Sequence, residues 1–427
     1  MKNPVLIAAI LFCGAILVCL SSCGKDAREP PDPEGPPLVV TPPKFDFQET
    51  ISREVLENYL ARAVSMQRML IAEDEINDNI RMIRNMGAKF LGRAMAQWCD
   101  EYNALKNFET ARKLIPHIHA ADPEIIVQAC IFEMVQKNVE LLSIPAWCFE
   151  MMDMPVETRK FVFNDMRFTP GEAVGGYDPY DDEKKTTVPD ISKTETQLYF
   201  LYQAITYIDM GIEALHLGQM DLISRADPGL AHYGRFLEKI RAYAKQHARR
   251  GMVICDAHAS SPGGYLLGTT NYNLLDFNSA PLRIKEQASG EADAILQLGF
   301  SNGLYKRSKG GLTYSGWRCN NLPYLVEFDH WGAGSNPGVY NNASTIYIYG
   351  YDEISWFARQ TDEVRHAWLQ YAYDWVKNTD PNGWLQMPVR RPLTYPTGNG
   401  TYNASKIKGE WRDEDVIRNI WRNGRSL

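Results

Sequence analysis

The amino-acid sequence predicts an α/β protein, a (β/α)8 TIM barrel with long loops after its strands and one helix before them. Three observations support this prediction. Amphipathic helical stretches are followed by a glycine or a short turn and then by a strand that is apolar on both faces, and this unit occurs four times in succession. Long polar loops rich in glycine and tyrosine follow several of the strands. No glycine-rich phosphate-binding motif follows them, which disfavours the alternative, a doubly wound sheet.

The elements are predicted in chain order from their hydrophobic periodicity. Apolar residues recur at helical spacing over residues 51–71, and we expect this helix to pack across one end of the barrel. The helices of the four units span residues 75–86, 107–117, 194–210 and 230–249, and their strands span residues 89–94, 124–132, 212–218 and 252–256. Further strands are predicted at residues 294–298, 324–329 and 384–389, with a helix over residues 353–377. Residues 155–168 are ambiguous, and the remaining strand is not assigned.

Residues 1–22 have the features of a secretory signal peptide. Lys2 supplies the positive charge, and residues 4–18 form an apolar run that is short for a membrane span. The sequence Leu-Ser-Ser-Cys at residues 20–23 resembles the bacterial lipobox, in which a peptidase cleaves before the cysteine. This resemblance implies a lipoprotein that is held on a membrane of the cell envelope by diacylglyceryl and palmitate chains on Cys23.

Residues 23–44 are rich in proline and have no apolar period, so we expect an extended tether. The acidic residues of this segment are Asp26, Glu29, Asp32 and Glu34. They resemble the charged segment that follows the lipidated cysteine in surface-exported lipoproteins of the Bacteroidetes, which implies a surface-exposed position on the outer membrane. Residues 45–427 are expected to form a single TIM-barrel catalytic domain outside the cytoplasm.

The composition excludes some functions. The formal net charge is -7 and no basic cluster occurs, which argues against a protein that binds nucleic acid. The cysteines after Cys23 are Cys99, Cys130, Cys148, Cys255 and Cys319. Their number is odd and their spacing is not that of metal ligands, so we interpret them as buried thiols. We expect no cofactor.

Ionisable, amide and aromatic residues recur where the predicted strands end. They are Arg93 and Trp98, Glu133, His216 and Gln219, Asp256 and His258, Glu327 and Asp329, and Trp331. Because parallel strands of a closed barrel end at the same mouth, we expect these side chains to meet there despite their separation in sequence. The mouth is then rich in carboxylates.

Paired carboxylates at a barrel mouth are what glycosidic bond cleavage requires, because one must donate a proton and the other must attack the sugar or activate water. Glu327 is the candidate nucleophile or base. Glu133 is the candidate general acid, since its apolar neighbours are expected to raise its pKa, and Asp256 is the reserve for either role. The residues expected to bind substrate are Arg93, Trp98, His216, Gln219, His258, Asp329, Trp331 and Trp384.

The lipobox, the tether and the barrel with carboxylates at its strand ends together resemble the surface glycoside hydrolases of Bacteroidetes polysaccharide-utilisation loci. The resemblance covers the whole chain in architecture, but no motif assigns a particular family. It implies an extracellular poly- or oligosaccharide substrate, with other polysaccharide-utilisation proteins as further partners.

Two alternatives remain open at the level of sequence. In the first, His216, Asp256, His258 and His330 bind a metal ion in a metal-dependent hydrolase. A His-x-His pair at residues 117–119 precedes its strand, so it is expected at the opposite end of the barrel. In the second, the chain is a non-catalytic glycan-binding lipoprotein, which a large separation between the carboxylates would favour.

Overall fold

Eight parallel strands form a nearly closed barrel in the computed structural model. The model describes residues 43–169, 179–259, 264–287, 290–300, 303–329, 352–393 and 400–424. The strands are β1 (Ala63–Met66), β2 (Phe90–Met95), β3 (Ile126–Cys130), β4 (Ala214–His216), β5 (Ile254–Asp256), β6 (Asn278–Pro281), β7 (Tyr324–Glu327) and β8 (Gly383–Pro392). They pair in the order β5-β4-β3-β2-β1-β8-β7-β6. A parallel bridge between His258 and Ser279 brings β5 beside β6, so the predicted TIM barrel is confirmed.

The first of the longer helices precedes β1, the last follows β8, and the others lie in the connections between strands. They are α1 (Arg53–Leu60), α2 (Ile76–Met86), α3 (Ala104–Ala121), α4 (Thr194–Asp209), α5 (Ala231–His247), α6 (Glu353–Ala358), α7 (Asp362–Thr379) and α8 (Glu414–Asn423). Short helices occur at Ala146–Met151 and Met220–Ile223. In the described residues of the β5–β6 and β6–β7 connections, loops and hairpins take the place of a covering helix. None of the helices described is long and apolar enough to span a bilayer.

The remaining strands are short and lie outside the barrel wall. Val135–Gln136 pairs with Thr186–Thr187, Lys285–Gln287 with Gly290–Ile295, and Gly311–Leu312 with Arg318–Cys319, all antiparallel. Thr401–Asn403 extends β8 in the antiparallel direction. These hairpins belong mainly to the long connections that follow β3, β6 and β8.

Several sequence-based assignments are wrong. The helix predicted over residues 51–71 ends at Leu60, and the chain continues as β1, because β1 is paired on both sides by β2 and β8. The strand predicted at 294–298 is part of an external hairpin, and the barrel strand in this region is β6. The helix predicted over 353–377 is two helices, α6 and α7. Residues 155–168 contain a 3₁₀ turn, Phe163–Met166, and no barrel strand.

The amino end of the barrel is closed by an apolar floor. Each strand, or the residue directly before it, contributes one inward side chain to this floor. These residues are Ala63, Phe90, Ile126, Ala214, Ile254, Phe277, Leu325 and Trp384. Helix α1 packs below these residues through Leu56 and Leu60, which confirms the predicted position of the first helix across one end of the barrel. Ser52 caps α1 by accepting from the Val55 N–H at 3.2 Å.

The next inward level of the barrel is polar. Since side chains alternate along a strand, the residues two positions after the floor share its inward direction. They are Ser65, Gly92, Gln128, His216, Asp256, Ser279, Glu327 and Gln386. Barrel interiors are usually filled at this level by branched apolar residues. The polar level therefore marks where the candidate site begins.

Candidate active site

The first cluster of the site surrounds Glu327, the last residue of β7. Arg93 Nε lies 2.9 Å from Oε2 of Glu327, and Arg93 Nη2 also donates to Oε1. Arg391 Nη1 lies 2.9 Å from Oε2, and His258 Nε2 lies 2.8 Å from Oε1. Burial alone would raise the pKa of Glu327, but the two guanidinium groups outweigh it and hold this pKa well below its ordinary value. Glu327 is therefore a carboxylate at neutral pH.

Arg93 reaches Glu327 because β2 is irregular at this point. The register between β2 and β3 shifts between Leu91 and Met95, and Arg93 has a positive φ of 58°. Such irregularities in a strand redirect side chains. The N–H of Arg93 donates to Oε1 of Gln128 at 2.9 Å, so a side chain of the polar level stabilises this backbone conformation.

Asp329 extends the charged cluster toward the mouth. Its Oδ1 accepts from Arg391 Nη2 at 3.0 Å, so Arg391 bridges Asp329 and Glu327. Burial and the charge of Glu327 act to raise the pKa of Asp329, but Arg391 and its cationic neighbours lower it overall. Arg391 thus keeps two adjacent carboxylates ionised.

The second cluster surrounds Asp256, the last residue of β5. Its Oδ1 accepts from Gln128 Nε2 at 2.7 Å, and its Oδ2 accepts from Ser279 Oγ at 2.7 Å. Nδ1 of His216 lies 2.8 Å from Oδ2. Burial and the positive charge of Arg93 lower the pKa of His216 to about 4, so this ring is neutral at pH 7. Asp256 is thus held by three side chains and orients His216.

Glu133 follows β3 and forms the third part of the site. Its Oε2 accepts from the Gln219 N–H at 3.0 Å, and its Oε1 accepts from Gln219 Nε2 at 3.0 Å. A Cβ on Gly218 would lie 2.2 Å from Oε2, so only glycine leaves room for the carboxyl group here. Burial raises the pKa of Glu133 despite these hydrogen bonds. Glu133 is therefore biased toward the protonated form.

The backbone joins these clusters. The His258 N–H donates to the carbonyl of Gly218 at 2.8 Å, which places the end of β5 against the segment that holds Glu133. The Nε2 atom of His258 also lies 2.7 Å from Arg93 Nη2. His258 therefore lies between Glu133, whose pKa is raised, and Glu327, whose pKa is lowered.

Aromatic rings line one side of the site. Trp98 packs edge-on against Phe132 with ring centroids 5.1 Å apart, and Phe132 packs edge-on against His216 at 6.3 Å. Trp98 is half-buried, whereas Phe132 is buried. This pair forms an apolar surface beside the polar groups of the mouth.

One predicted binding residue, Trp384, is not part of this arrangement. Trp384 is the second residue of β8, and its ring packs in the floor with Ile126 and Leu325, at the end of the barrel opposite the mouth. The prediction that Trp384 binds substrate is therefore corrected, because it begins its strand rather than ending it. Trp331 lies outside the described residues.

Three further residues of the site were missed by the sequence-based prediction. Arg391 holds Glu327 and Asp329, Gln128 holds Asp256, and Ser279 donates to Asp256. Gln128 could have been found, because it is a polar residue inside the apolar run of residues 125–132. Arg391 lies in the second half of a largely apolar strand, as Arg93 does, but Ser279 lies in a strand without an apolar pattern.

The histidines do not form a metal centre among the residues that the structure describes. No group of three or more His, Cys, Asp or Glu side chains in that part of the chain is arranged to bind a metal ion. Arg93 lies 2.7 Å from His258 Nε2, where its positive charge would repel a divalent cation. His330 lies outside the described residues. His119 lies in α3 and bonds Glu213 at 3.1 Å, at the amino end of the strands.

These observations define a class of protein: a (β/α)8 barrel with a buried charged site at the carboxyl ends of its strands. Solved structures with a similar fold include the GH36 alpha-galactosidase AgaA from Geobacillus stearothermophilus, with 10% identity, a TM-score of 0.39 and coverage of 86% of this chain and 43% of that one. The galactosidase domain of the alpha-galactosidase-sucrose kinase AgaSK is 11% identical, with a TM-score of 0.39 and coverage of 84% and 40%. The GH18 chitinase from Cycas revoluta is 10% identical, with a TM-score of 0.38 and coverage of 84% and 98%.

The chain spans about two fifths of the length of the two galactosidase chains. No family model matches the sequence, and no curated protein is detectably similar to it. The assignment of the barrel therefore rests on its own strand order and register.

Proposed function

We propose that the chain is a glycoside hydrolase-like enzyme that cleaves poly- or oligosaccharides at the barrel mouth. The observation that carries the proposal is the opposite shift of two buried carboxyl groups at one end of the barrel. Burial raises the pKa of Glu133, while arginines lower that of Glu327. Pairs of carboxyl groups whose environments separate their pKa values in this way provide an acid and a base at the same pH.

Each residue has a defined role in this proposal. Glu133 donates its proton to the glycosidic oxygen as the bond to the leaving group breaks. Glu327, as a carboxylate, attacks the anomeric carbon or removes a proton from the attacking water. Asp256 is the reserve for either role. Arg93, His216, Gln219, His258 and Asp329 are proposed to contact the sugar hydroxyls, and Trp98 its apolar face.

The proposal is tested by incubating purified protein with a panel of polysaccharides and measuring the release of reducing ends, with and without a chelator. Glu133→Gln and Glu327→Gln are each expected to lower turnover by at least about a hundredfold, the usual loss with a general acid or base. Glu124→Gln is the matched control, because Glu124 is exposed before β3. Full activity of both site variants on a verified substrate would refute the assignment, and inhibition by the chelator would favour a metal-dependent hydrolase instead.

A second candidate function is glycan binding without cleavage. It is favoured by the hydrogen bonding of Glu327, since both of its oxygens already accept from Arg93, Arg391 and His258. Under this alternative neither the wild type nor the two variants release reducing ends from any polysaccharide. The wild type nevertheless retains saccharide in a pull-down assay.

We further propose that the enzyme is a lipoprotein of the cell envelope, anchored through Cys23 to the outer membrane and facing extracellular saccharide. The support is the lipobox-like sequence at residues 20–23 and the Pro-rich segment that follows it. Radiolabelled palmitate should be incorporated into the wild type and not into Cys23→Ser. Equal labelling of both forms would exclude Cys23 as the acylated residue.

A further inference from the structure

One ring nitrogen of His216 is hydrogen-bonded, and the other has no partner within the described part of the chain. Its Nδ1 lies 2.8 Å from Oδ2 of Asp256, and the side chain is 2% exposed. Gln128 and Ser279 both donate to the same carboxylate. Because a carboxylate can only accept hydrogen bonds, the proton of the neutral ring is on Nδ1. The Nε2 atom of His216 is then an acceptor.

This acceptor is buried and unsatisfied. The Nε2 atom of His216 has no hydrogen-bond partner among the residues that the structure describes. Buried polar atoms are nearly always hydrogen-bonded in proteins, so an exception in a candidate site calls for a donor from outside the chain. The neutral state persists above about pH 4, because burial and Arg93 lower the pKa of the ring to about that value.

The surroundings of the ring limit what this donor can be. The ring of His258 packs edge-on at 4.9 Å between centroids, and that of Phe132 at 6.3 Å. The titratable and charged groups that act on His216 are Arg93 and His258, which lower its pKa, and Asp256, which raises it. A carboxylate has no hydrogen to donate, and an additional cation would be repelled by the charge of Arg93. A neutral hydroxyl group meets both requirements.

We propose that Nε2 of His216 accepts a hydrogen bond from a hydroxyl group of the bound sugar, and that His216 thereby selects saccharides with a free hydroxyl at that position. Asp256 acts as a positioning residue, because it keeps the proton on Nδ1. The identity of the ligand as a carbohydrate rests on the proposed function. The binding step itself does not require that the sugar be cleaved.

The state of the ring is tested first by NMR of the purified protein labelled with 15N-histidine. His216→Asn identifies the resonances and is also the binding variant, because the asparagine amide can still donate to Asp256 but offers no atom at the position of Nε2. His247→Asn is the matched control, since His247 is exposed on α5, outside the barrel wall. Between pH 5 and pH 8, His216 should carry its proton on Nδ1 only. A proton on Nε2 would overturn the proposal.

Binding is tested by titrating the same protein with D-glucose, D-galactose, D-mannose or Zn²⁺ alone. At least one sugar should shift the Nε2 resonance of His216, and its affinity should fall roughly tenfold in His216→Asn, since a buried acceptor contributes about that factor to discrimination. The affinity should not change in His247→Asn. A shift with Zn²⁺ but with no sugar, or equal sugar affinity in His216→Asn, would overturn the proposal.

These outcomes are separate from those for the proposed function. If a sugar shifts the Nε2 resonance but no polysaccharide is cleaved, the hydrolase proposal fails and this inference stands as a statement about sugar binding. If polysaccharide is cleaved equally well by His216→Asn and the wild type, only the role of His216 is refuted.

Discussion

Replacement of Glu327 by glutamine should destabilise the protein strongly, because it removes the negative charge at the centre of a buried network. The carboxylate accepts from Arg93 through two nitrogens and from Arg391 and His258 through one each. Glutamine keeps one oxygen acceptor and replaces the other with a donor, which faces Arg93 in either orientation, together with His258 or Arg391. Arg391 retains Asp329 at 3.0 Å, but Arg93, 5% exposed, has no other carboxylate partner among the residues that the structure describes.

The expected magnitude follows from the loss of this charge. Removing one partner of a buried ion pair costs about 3–5 kcal/mol, because the other charge remains buried without compensation. We therefore expect Glu327→Gln to lower the free energy of unfolding at pH 7 by about 3–5 kcal/mol. The control Glu124→Gln loses only a partly exposed ion pair with Lys89, so it should change this free energy by less than about 1 kcal/mol.

The direction of the pKa shift of Glu327 predicts how this stability difference changes with pH. The folded-state pKa of Glu327 is lowered, so its contribution to stability is fully present above the unfolded pKa of about 4.3 and is lost as the pH falls through the folded value. The difference between the wild type and Glu327→Gln should therefore be constant near neutral pH and should narrow below about pH 4.

The assay is urea unfolding followed by far-ultraviolet circular dichroism at several pH values. The double variant Arg93→Met/Glu327→Gln should recover part of the loss, because it removes the uncompensated charge as well. A loss below about 1 kcal/mol at pH 7, or curves that stay parallel into acid, would refute the view that Glu327 is ionised and essential to the network.

Two further predictions concern Glu133. Gly218→Ala should abolish most of the turnover, since its Cβ would lie 2.2 Å from Oε2 of Glu133. Gly87→Ala is the control and should keep its turnover, because nothing lies within 4 Å of a Cβ at that position. Both glycines have positive φ, so the backbone strain is matched and only the contact differs. Equal activity of the two variants would contradict the position assigned to Glu133. The raised pKa of Glu133 means that its contribution to stability is present below the unfolded pKa of about 4.3 and is lost as the pH rises through the folded value. In thermal unfolding experiments, the wild type should therefore lose stability relative to Glu133→Gln as the pH rises from 4 to 8. If the melting temperatures of the two proteins changed in parallel with pH, the raised pKa of Glu133 would be contradicted.

The sequence predicts most of the barrel because most of its strands are buried on both faces. Strands β2, β3, β4, β5 and β8 follow helices and are apolar, and β7 is apolar as well, so hydrophobicity marks each of them. Strand β6 has the sequence Asn-Ser-Ala-Pro and carries no such signal. It is a strand because β7 pairs along it and because Ser279 is bridged to His258. Its identity is set by tertiary pairing, which a local pattern does not contain.

The same distinction applies to the site. Residues directly after an apolar strand, such as Glu133, Asp256 and Glu327, are recognisable because the strand ends are recognisable. The partners that set their protonation are not local: Arg93 and Glu327 are 234 residues apart, and Gln128 and Asp256 are 128 apart. The neighbours of Glu133 in sequence correctly suggest a raised pKa, whereas the lowered pKa of Glu327 depends on arginines from β2 and β8.

The polar level of the barrel is the strongest structural reason to expect chemistry at the mouth. A buried ion pair is usually no more stabilising than apolar residues of the same volume, so stability alone does not favour Arg93, Arg391 and Glu327 over the apolar packing that fills most barrels at this level. The floor directly below is apolar, which shows that this chain can fill its interior in the usual way. The change from apolar to polar falls within two residues along every strand except β2, where Gly92 lies at this level, and it faces the carboxyl end. Glu133 lies there too, as does Nε2 of His216, which has no hydrogen-bond partner among the described residues. Such a departure from favourable packing is expected where binding or catalysis requires it.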